Sequence, residues 1–156
     1  MNYPELEPRK RPNPGFTVGL TGGLVMIAIS LAVFFMNGAE TNGDLLVWVL
    51  QLVAYFFLGR IAAQQQAEFQ QHTYEPTRGI VGAGIGAALV TSILMWIFLI
   101  IRDVVRDALG NIVLLEPITF CGRIIVDVLL AMGIGGFAGR SVEKQYHTNP
   151  YDTSNF

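Results

Sequence analysis

Residues 79–101, GIVGAGIGAALVTSILMWIFLII, decide the fold, because they form a run of 23 residues without a charged side chain. A helix that crosses the hydrocarbon core of a bilayer needs about 20 such residues, at a rise of about 1.5 Å each. A second uncharged run covers the 21 residues 16–36. Two further apolar stretches, 44–63 and 123–142, predict two more spans. The predicted fold class is therefore all-α, a polytopic membrane protein with four transmembrane helices.

The composition agrees with one small membrane domain. Of the 156 residues, 52% are hydrophobic and 14% are charged, whereas soluble domains carry about 25% charged residues. The mean hydropathy is +0.47. A net charge of -2 without a basic patch argues against a nucleic-acid partner. The single cysteine, Cys121, excludes an internal disulfide and a multi-cysteine metal site.

The chain also repeats itself. A Gly-Arg pair ends the second apolar stretch at 59–60 and the fourth at 139–140, and a Glu-x-Gln-x-His-Thr pattern follows each pair. This repeat predicts two helical hairpins in parallel orientation, as duplicated units in small membrane proteins show. The predicted segments are a proline-rich tail (1–14), the first hairpin (15–75), the second hairpin (76–146) with an outer insert (102–118), and a polar C-terminal tail (147–156).

The distribution of basic residues predicts the orientation. Seven of the ten Lys and Arg residues lie in the two tails and the middle loop, and three lie at the opposite ends of the spans. Because cytoplasmic segments are enriched in Lys and Arg, both termini are predicted to be cytoplasmic. We expect a multi-pass protein of the plasma or inner membrane.

Glycines recur at four-residue spacing within the spans. Small residues at this spacing form a flat helix face, on which two backbones approach closely in lipid. The spacing of these glycines resembles that of nucleotide-binding loops. Such loops need a strand before the glycines, whereas these glycines lie inside spans. The glycines predicted to pack helices are Gly15, Gly19, Gly23, Gly82, Gly86, Gly135 and Gly139.

Asp127 is the single most informative polar residue, because a carboxylate inside a span is costly and marks a functional candidate. Arg123 lies four residues before it, which predicts a structural ion pair on one helix face. The alternative is an ion or proton site. Both interpretations place these two residues near the outer end of the fourth span.

Three uncharged polar residues lie at comparable depth in the second and third spans. Gln51, Thr91 and Ser92 are candidates to line a polar path. The alternative is that they hydrogen-bond across helices or to their own backbone, as polar residues in spans usually do.

Two Glu-x-x-x-His pairs extend the second and fourth spans toward the cytoplasm. They comprise Glu68 with His72 and Glu143 with His147. If the repeat brings the two pairs together, two carboxylates and two imidazoles would suit a divalent metal. The alternative is that each pair lies on a solvated helix surface.

Nothing in the chain predicts an enzyme or a bound cofactor. Cys121 has no acid or base nearby in sequence that would activate it as a nucleophile. The sequence also lacks a Ser/His/Asp set and a His-Glu-x-x-His motif.

Residues 133–140, Gly-Ile-Gly-Gly-Phe-Ala-Gly-Arg, together with Gly-Arg-Ile-Ala-Ala at 59–63 and a glycine-rich span after it, carry a resemblance. They resemble small four-span bacterial membrane proteins of uncharacterised function, which share a Gly-Gly-x-x-Ala-Gly-Arg-like element. The resemblance covers the second to fourth spans. It implies a fold and a location, and it brings no known reaction.

These observations predict a non-enzymatic membrane protein surrounded by the lipid bilayer. The first hypothesis is an accessory or structural subunit that packs against other membrane proteins. The alternative is a small ion or solute transporter or channel that acts as a homodimer. A third hypothesis is a metal or redox protein that uses His72 and His147.

Overall fold

The structure is a computed structural model that describes residues 13–37, 41–73, 79–108 and 117–147. Within these ranges the chain forms four helices: α1 (Pro14–Asn37), α2 (Thr41–Thr73), α3 (Ile80–Ala108) and α4 (Pro117–His147). No strand occurs in the described part of the chain. The all-α prediction is confirmed.

Each helix contains a segment that is long and apolar enough to cross a membrane. The segments are Pro14–Met36, Leu45–Gln70, Ile80–Val105 and Cys121–Tyr146. The chain therefore has the architecture of a multi-pass membrane protein with four spans. α2 continues well past the predicted end of its span at residue 63, because the Gln- and Ala-rich sequence that follows retains helix-forming residues.

Local sequence sets where two of the helices begin. The side chain of Asn13 caps α1, and its Oδ1 accepts a hydrogen bond of 3.2 Å from the backbone N–H of Phe16. Pro14 then occupies the first helical position, where its missing N–H costs nothing. Before α3, Gly79 adopts a φ of +105°, a left-handed conformation that glycine tolerates better than other residues.

The four helices pack as an asymmetric bundle. α2 and α3 each contact all three other helices, whereas α1 and α4 do not touch within the described ranges. An exact two-fold axis relating the hairpins would pair α1 with α4 in the way it pairs α3 with α2. The packing of the two hairpins therefore departs from exact two-fold symmetry, with α2 and α3 at the centre.

Large apolar side chains cover the outside of the bundle. Phe137 is 68% exposed and Met36 is 83% exposed, and exposed Leu, Ile and Val residues lie along all four helices. In water such a surface would be unfavourable, whereas lipid tails solvate it. This surface indicates contact with the bilayer.

The predicted insert at 102–118 lies partly on helices. Its first residues extend α3 to Ala108, and Pro117 begins α4. Residues 109–116 are outside the described ranges, as are most of the two predicted tails.

Candidate functional site

A buried polar cluster joins three of the four helices around Asp127. This side chain is only 2% exposed. Its Oδ2 accepts hydrogen bonds from the Tyr55 hydroxyl at 2.8 Å, the Ser92 hydroxyl at 2.8 Å, Trp96 Nε1 at 2.9 Å and Gln51 Nε2 at 3.2 Å. We call these five residues the Asp127 cluster.

Helical spacing explains how the four donors reach one oxygen. Gln51 and Tyr55 are four residues apart on α2, and Ser92 and Trp96 are four residues apart on α3, so each pair lies on one helix face. Gln51 Nε2 also donates to the Tyr55 hydroxyl, which in turn donates to Asp127. α2 and α3 thus each present a two-residue polar patch to the carboxyl group on α4.

The cluster lies inside the membrane-spanning part of the bundle. Asp127 and Gln51 are each six residues into their spans, Cys121–Tyr146 and Leu45–Gln70. At 1.5 Å per residue this is about 9 Å from the span ends. These ends face the side where α1 joins α2 and α3 joins α4, which we call the hairpin side. The opposite side carries the start of α1 and the end of α4.

The two oxygens of the carboxyl group have different surroundings. Oδ2 accepts four hydrogen bonds, whereas Oδ1 is buried and has no hydrogen-bond partner among the residues that the structure describes. All four donors are neutral groups in their usual forms. Burying a carboxyl group inside a span costs free energy. Here hydrogen bonds from neutral groups offset that cost at Oδ2 and not at Oδ1.

The ion pair between Arg123 and Asp127 that the sequence favoured is not present, although the structure describes both side chains. Arg123 is exposed, whereas Asp127 is buried against α2 and α3. Arg123 lies at the hairpin-side end of the span, where a long basic side chain reaches water or headgroups at little cost. On α3, Arg102 instead pairs with its neighbour Asp103 at 3.1 Å.

The three candidates for a polar path do not act together. Gln51 and Ser92 both belong to the Asp127 cluster, whereas Thr91 is turned toward α1. The Thr91 hydroxyl lies 3.1 Å from the carbonyl oxygen of Gly19 and 2.9 Å from that of Ala87. Thr91 therefore links α1 to α3 outside the cluster.

Tyr55 and Trp96 are members of the cluster that no sequence pattern predicted. Both are buried, and both donate to the carboxylate. The signal that would have found them is the i, i+4 spacing from Gln51 and from Ser92, which places each aromatic residue one turn along the same face. An aromatic residue in an apolar span otherwise looks like ordinary core or lipid contact.

The α1 glycines lie against α3. A Cβ placed on Gly15 would come within 2.9 Å of the carbonyl oxygen of Ala83, and one on Gly19 would come within 2.6 Å of that of Ala87. A Cβ on Gly23 would meet the side chain of Leu94 at 2.6 Å. These distances leave no room for a side chain on this face of α1.

The α4 glycines form a second close contact, again with α3. A Cβ on Gly135 would lie 2.7 Å from the carbonyl oxygen of Gly84, and one on Gly139 would lie 2.8 Å from the Cα of Val81. Gly84, which the glycine spacing did not single out, thus lies in the close contact between α3 and α4.

Two of the glycines singled out on α3 are less confined. A Cβ on Gly86 would meet Gly15 at 3.6 Å, an ordinary contact distance. One on Gly82 would meet no atom of the described residues within 4 Å. The face of α3 that packs against α4 is the one carrying Gly84, whereas Gly82 is exposed.

The possible metal site is only partly described. His72 and His147 lie on α2 and α4, but their side chains are outside the described part of the structure. Glu68 is exposed and Glu143 is half-buried. Among the residues that the structure describes, no three His, Cys, Asp or Glu residues form a group able to hold a metal. The metal hypothesis stays a prediction.

An apolar groove of about 610 Å³ opens between α1 and α2. Its lining includes Thr21, Met26, Phe57 and Gln65, and it contains no member of the Asp127 cluster. The groove and the cluster are therefore separate features.

Comparison with known proteins adds no assignment: the chain matches no protein-family model, no curated protein and no solved structure at a significant level.

Proposed function

We propose that this protein is a non-enzymatic integral membrane protein that serves as an accessory or structural subunit beside other membrane proteins. The observation that carries the proposal is the outward face of α4. Gly122 and Gly133 lie on this face, and a Cβ at either position would meet no atom of the described residues within 4 Å. Glycine weakens a helix interior, so an uncovered glycine in a span favours a helix from another chain packing there.

The surroundings of Gly133 fit such a contact. Leu129 and Phe137, one turn to either side, are 62% and 68% exposed. Together these side chains flank a notch at the glycine, into which a neighbouring helix would fit. Glycine contacts bring α3 and α4 together and close the interior of the bundle between them. This closed interior also supports a role as a subunit.

The experiment is purification of a tagged copy at native expression level in mild detergent, with mass spectrometry of the proteins that accompany it. We expect larger membrane proteins to co-purify with the tagged copy in stoichiometric amounts. Gly133→Leu should remove them. Gly82→Leu should not, because Gly82 lies two residues from the start of its span and, among the described residues, no exposed large apolar side chain lies one turn from it. Recovery of a lone monomer or homodimer would reject the subunit hypothesis.

The second candidate function is a small ion or solute transporter or channel that acts as a homodimer. It is favoured by the meeting of Gln51, Ser92 and Asp127 in one intramembrane cluster. The test is solute or ion flux into proteoliposomes. Transport through the cluster requires that Asp127→Asn abolish the flux and that Thr91→Val, outside the cluster, preserve it.

The proposed location is the plasma or inner membrane, with both termini in the cytoplasm. Support comes from the excess of Lys and Arg in the tails and middle loop. The resemblance to small four-span bacterial proteins is in line with this location.

A further inference from the structure

The Asp127 carboxyl group has one oxygen that no residue in the described part of the chain engages. Oδ1 is buried without a hydrogen-bond partner, and the whole side chain is 2% exposed. Buried polar atoms in folded proteins nearly always have partners. The same carboxyl group is surrounded by four donors on its other oxygen, so its orientation is fixed.

We propose that Asp127 is a reversible proton-binding site within the membrane, with Oδ1 as the atom that takes the proton. On binding, an O–H bond forms at Oδ1 and the charge of the group changes from -1 to 0. No other covalent bond changes, and Oδ2 remains the acceptor for the four donors. This site is independent of whether the protein works as a subunit.

A proton fits this site better than a metal cation. Hard metal cations take about six or more oxygen ligands, whereas a proton needs one atom, and one free oxygen is what the carboxyl group offers. Gln51 Nε2 and Trp96 Nε1 point hydrogens at Oδ2, and an N–H donor cannot coordinate a cation.

Two opposing effects act on the carboxyl group. The apolar interior of a membrane disfavours the charged form. Hydrogen bonds to a charged acceptor are about twice as strong as neutral ones, so the four donors favour the charged form. Proton binding therefore weakens all four bonds, and the links from α4 to α2 and α3 loosen when the proton arrives.

The neighbouring helices bring few other titratable groups to the site. On α2 the group that faces Asp127 is Tyr55, and on α3 the donors are the uncharged Ser92 and Trp96. The Arg102–Asp103 pair lies beyond Trp96 toward the hairpin side, and Arg123 on α4 is exposed. α1 carries no titratable residue between Pro14 and Asn37.

The test is infrared difference spectroscopy of the full-length protein in lipid vesicles, titrated from acidic to alkaline buffer. We expect the C=O stretch of a protonated carboxylic acid whose carbonyl oxygen accepts hydrogen bonds, lost as the pH rises and absent in Asp127→Asn. Asp103→Asn, which changes the carboxyl group of a hairpin-side ion pair, should keep the band.

A second variant keeps the test decisive if Asp127→Asn does not fold. Ser92→Ala retains the carboxyl group and removes one donor, so the charged form loses support and the band should persist to a pH about one unit higher. The proposal is overturned by a band that never changes with pH, by no such band at any pH, or by a midpoint that Ser92→Ala leaves in place. Replacing Na⁺ by choline should have no effect, and a band lost only when Na⁺ is present would identify a metal cation instead.

Discussion

Gly84 and Gly135 lie backbone against backbone at the contact between α3 and α4. A Cβ on Gly84 would come within 2.6 Å of the carbonyl oxygen of Gly135, and a Cβ on Gly135 would come within 2.7 Å of the carbonyl oxygen of Gly84. Neither distance admits a side chain, and the obstructing atoms belong to the backbone, which cannot rotate away. The two helices would have to separate to accommodate any substitution here.

The first prediction follows from this contact. Gly135→Ala should destabilise the protein by about 1–3 kcal/mol, the usual cost of forcing extra atoms into a packed core. Gly82→Ala is the matched control on α3, since a Cβ there meets no described atom within 4 Å, and it should be neutral or slightly stabilising. Unfolding in a mixed-micelle titration measures both. Equal stability of the two variants would show that the α3–α4 contact tolerates separation.

The second prediction concerns the Asp127 cluster. Asp127→Ala leaves four buried donors without their acceptor, and intramembrane hydrogen bonds are worth roughly 0.6 kcal/mol each. We expect a loss of about 2–3 kcal/mol in the same unfolding assay. Asp127→Asn should lose less, because its amide retains an acceptor oxygen. A variant as stable as the wild type would mean that the cluster contributes nothing to helix association.

The third prediction separates the cluster from the predicted ion pair. Arg123→Gln should change the unfolding free energy by less than about 0.5 kcal/mol, as surface substitutions usually do, because Arg123 is exposed and makes no ion pair with Asp127 in the described structure. A loss comparable to that of Asp127→Ala would restore the ion-pair interpretation.

The fourth prediction uses Thr91, whose hydroxyl lies within hydrogen-bond distance of the Gly19 carbonyl of α1. Thr91→Val keeps the shape and removes the hydroxyl, and we expect a loss of about 1 kcal/mol. Thr21→Val is the control, because Thr21 is exposed and its hydroxyl donates only to the carbonyl of Thr17 on its own helix. The difference between the two variants isolates the contact between α1 and α3.

The fifth prediction tests orientation with the native cysteine. Cys121 is exposed and begins the fourth span on the hairpin side. If both termini are cytoplasmic, a membrane-impermeant maleimide should label Cys121 in intact cells. In a Cys121→Ser background, Lys144→Cys on the terminal side should be labelled only after permeabilisation. The reverse pattern would invert the predicted topology.

Much of the fold was accessible from sequence. Runs of more than 20 residues without a charge predicted the spans at 16–36 and 79–101, because an apolar helix of that length is long enough to cross a bilayer. The span ends were harder. α2 and α4 continue past their predicted spans to Thr73 and His147, since a helix continues through polar residues once it has formed.

The candidate site was predictable only in part. The sequence identified Asp127 as the unusual group, because a carboxylate in a span is costly whichever helix face carries it. It gave the partner as Arg123, the nearest opposite charge along the chain. The actual partners come from α2 and α3, and the distance along the chain from Asp127 to Gln51 or Trp96 carries no information about their meeting.

The sequence by itself determined that this chain has four apolar helices, since hydrophobic length is a local property of the chain. The tertiary structure alone decided which helix faces meet. The rotation of α3 places Gly84 and not Gly82 in the contact with α4. The same rotation brings Ser92 and Trp96 to Asp127 while Thr91 turns to α1. In lipid both sides of a helix are equally apolar, so the choice of face depends on packing and hydrogen bonds between helices.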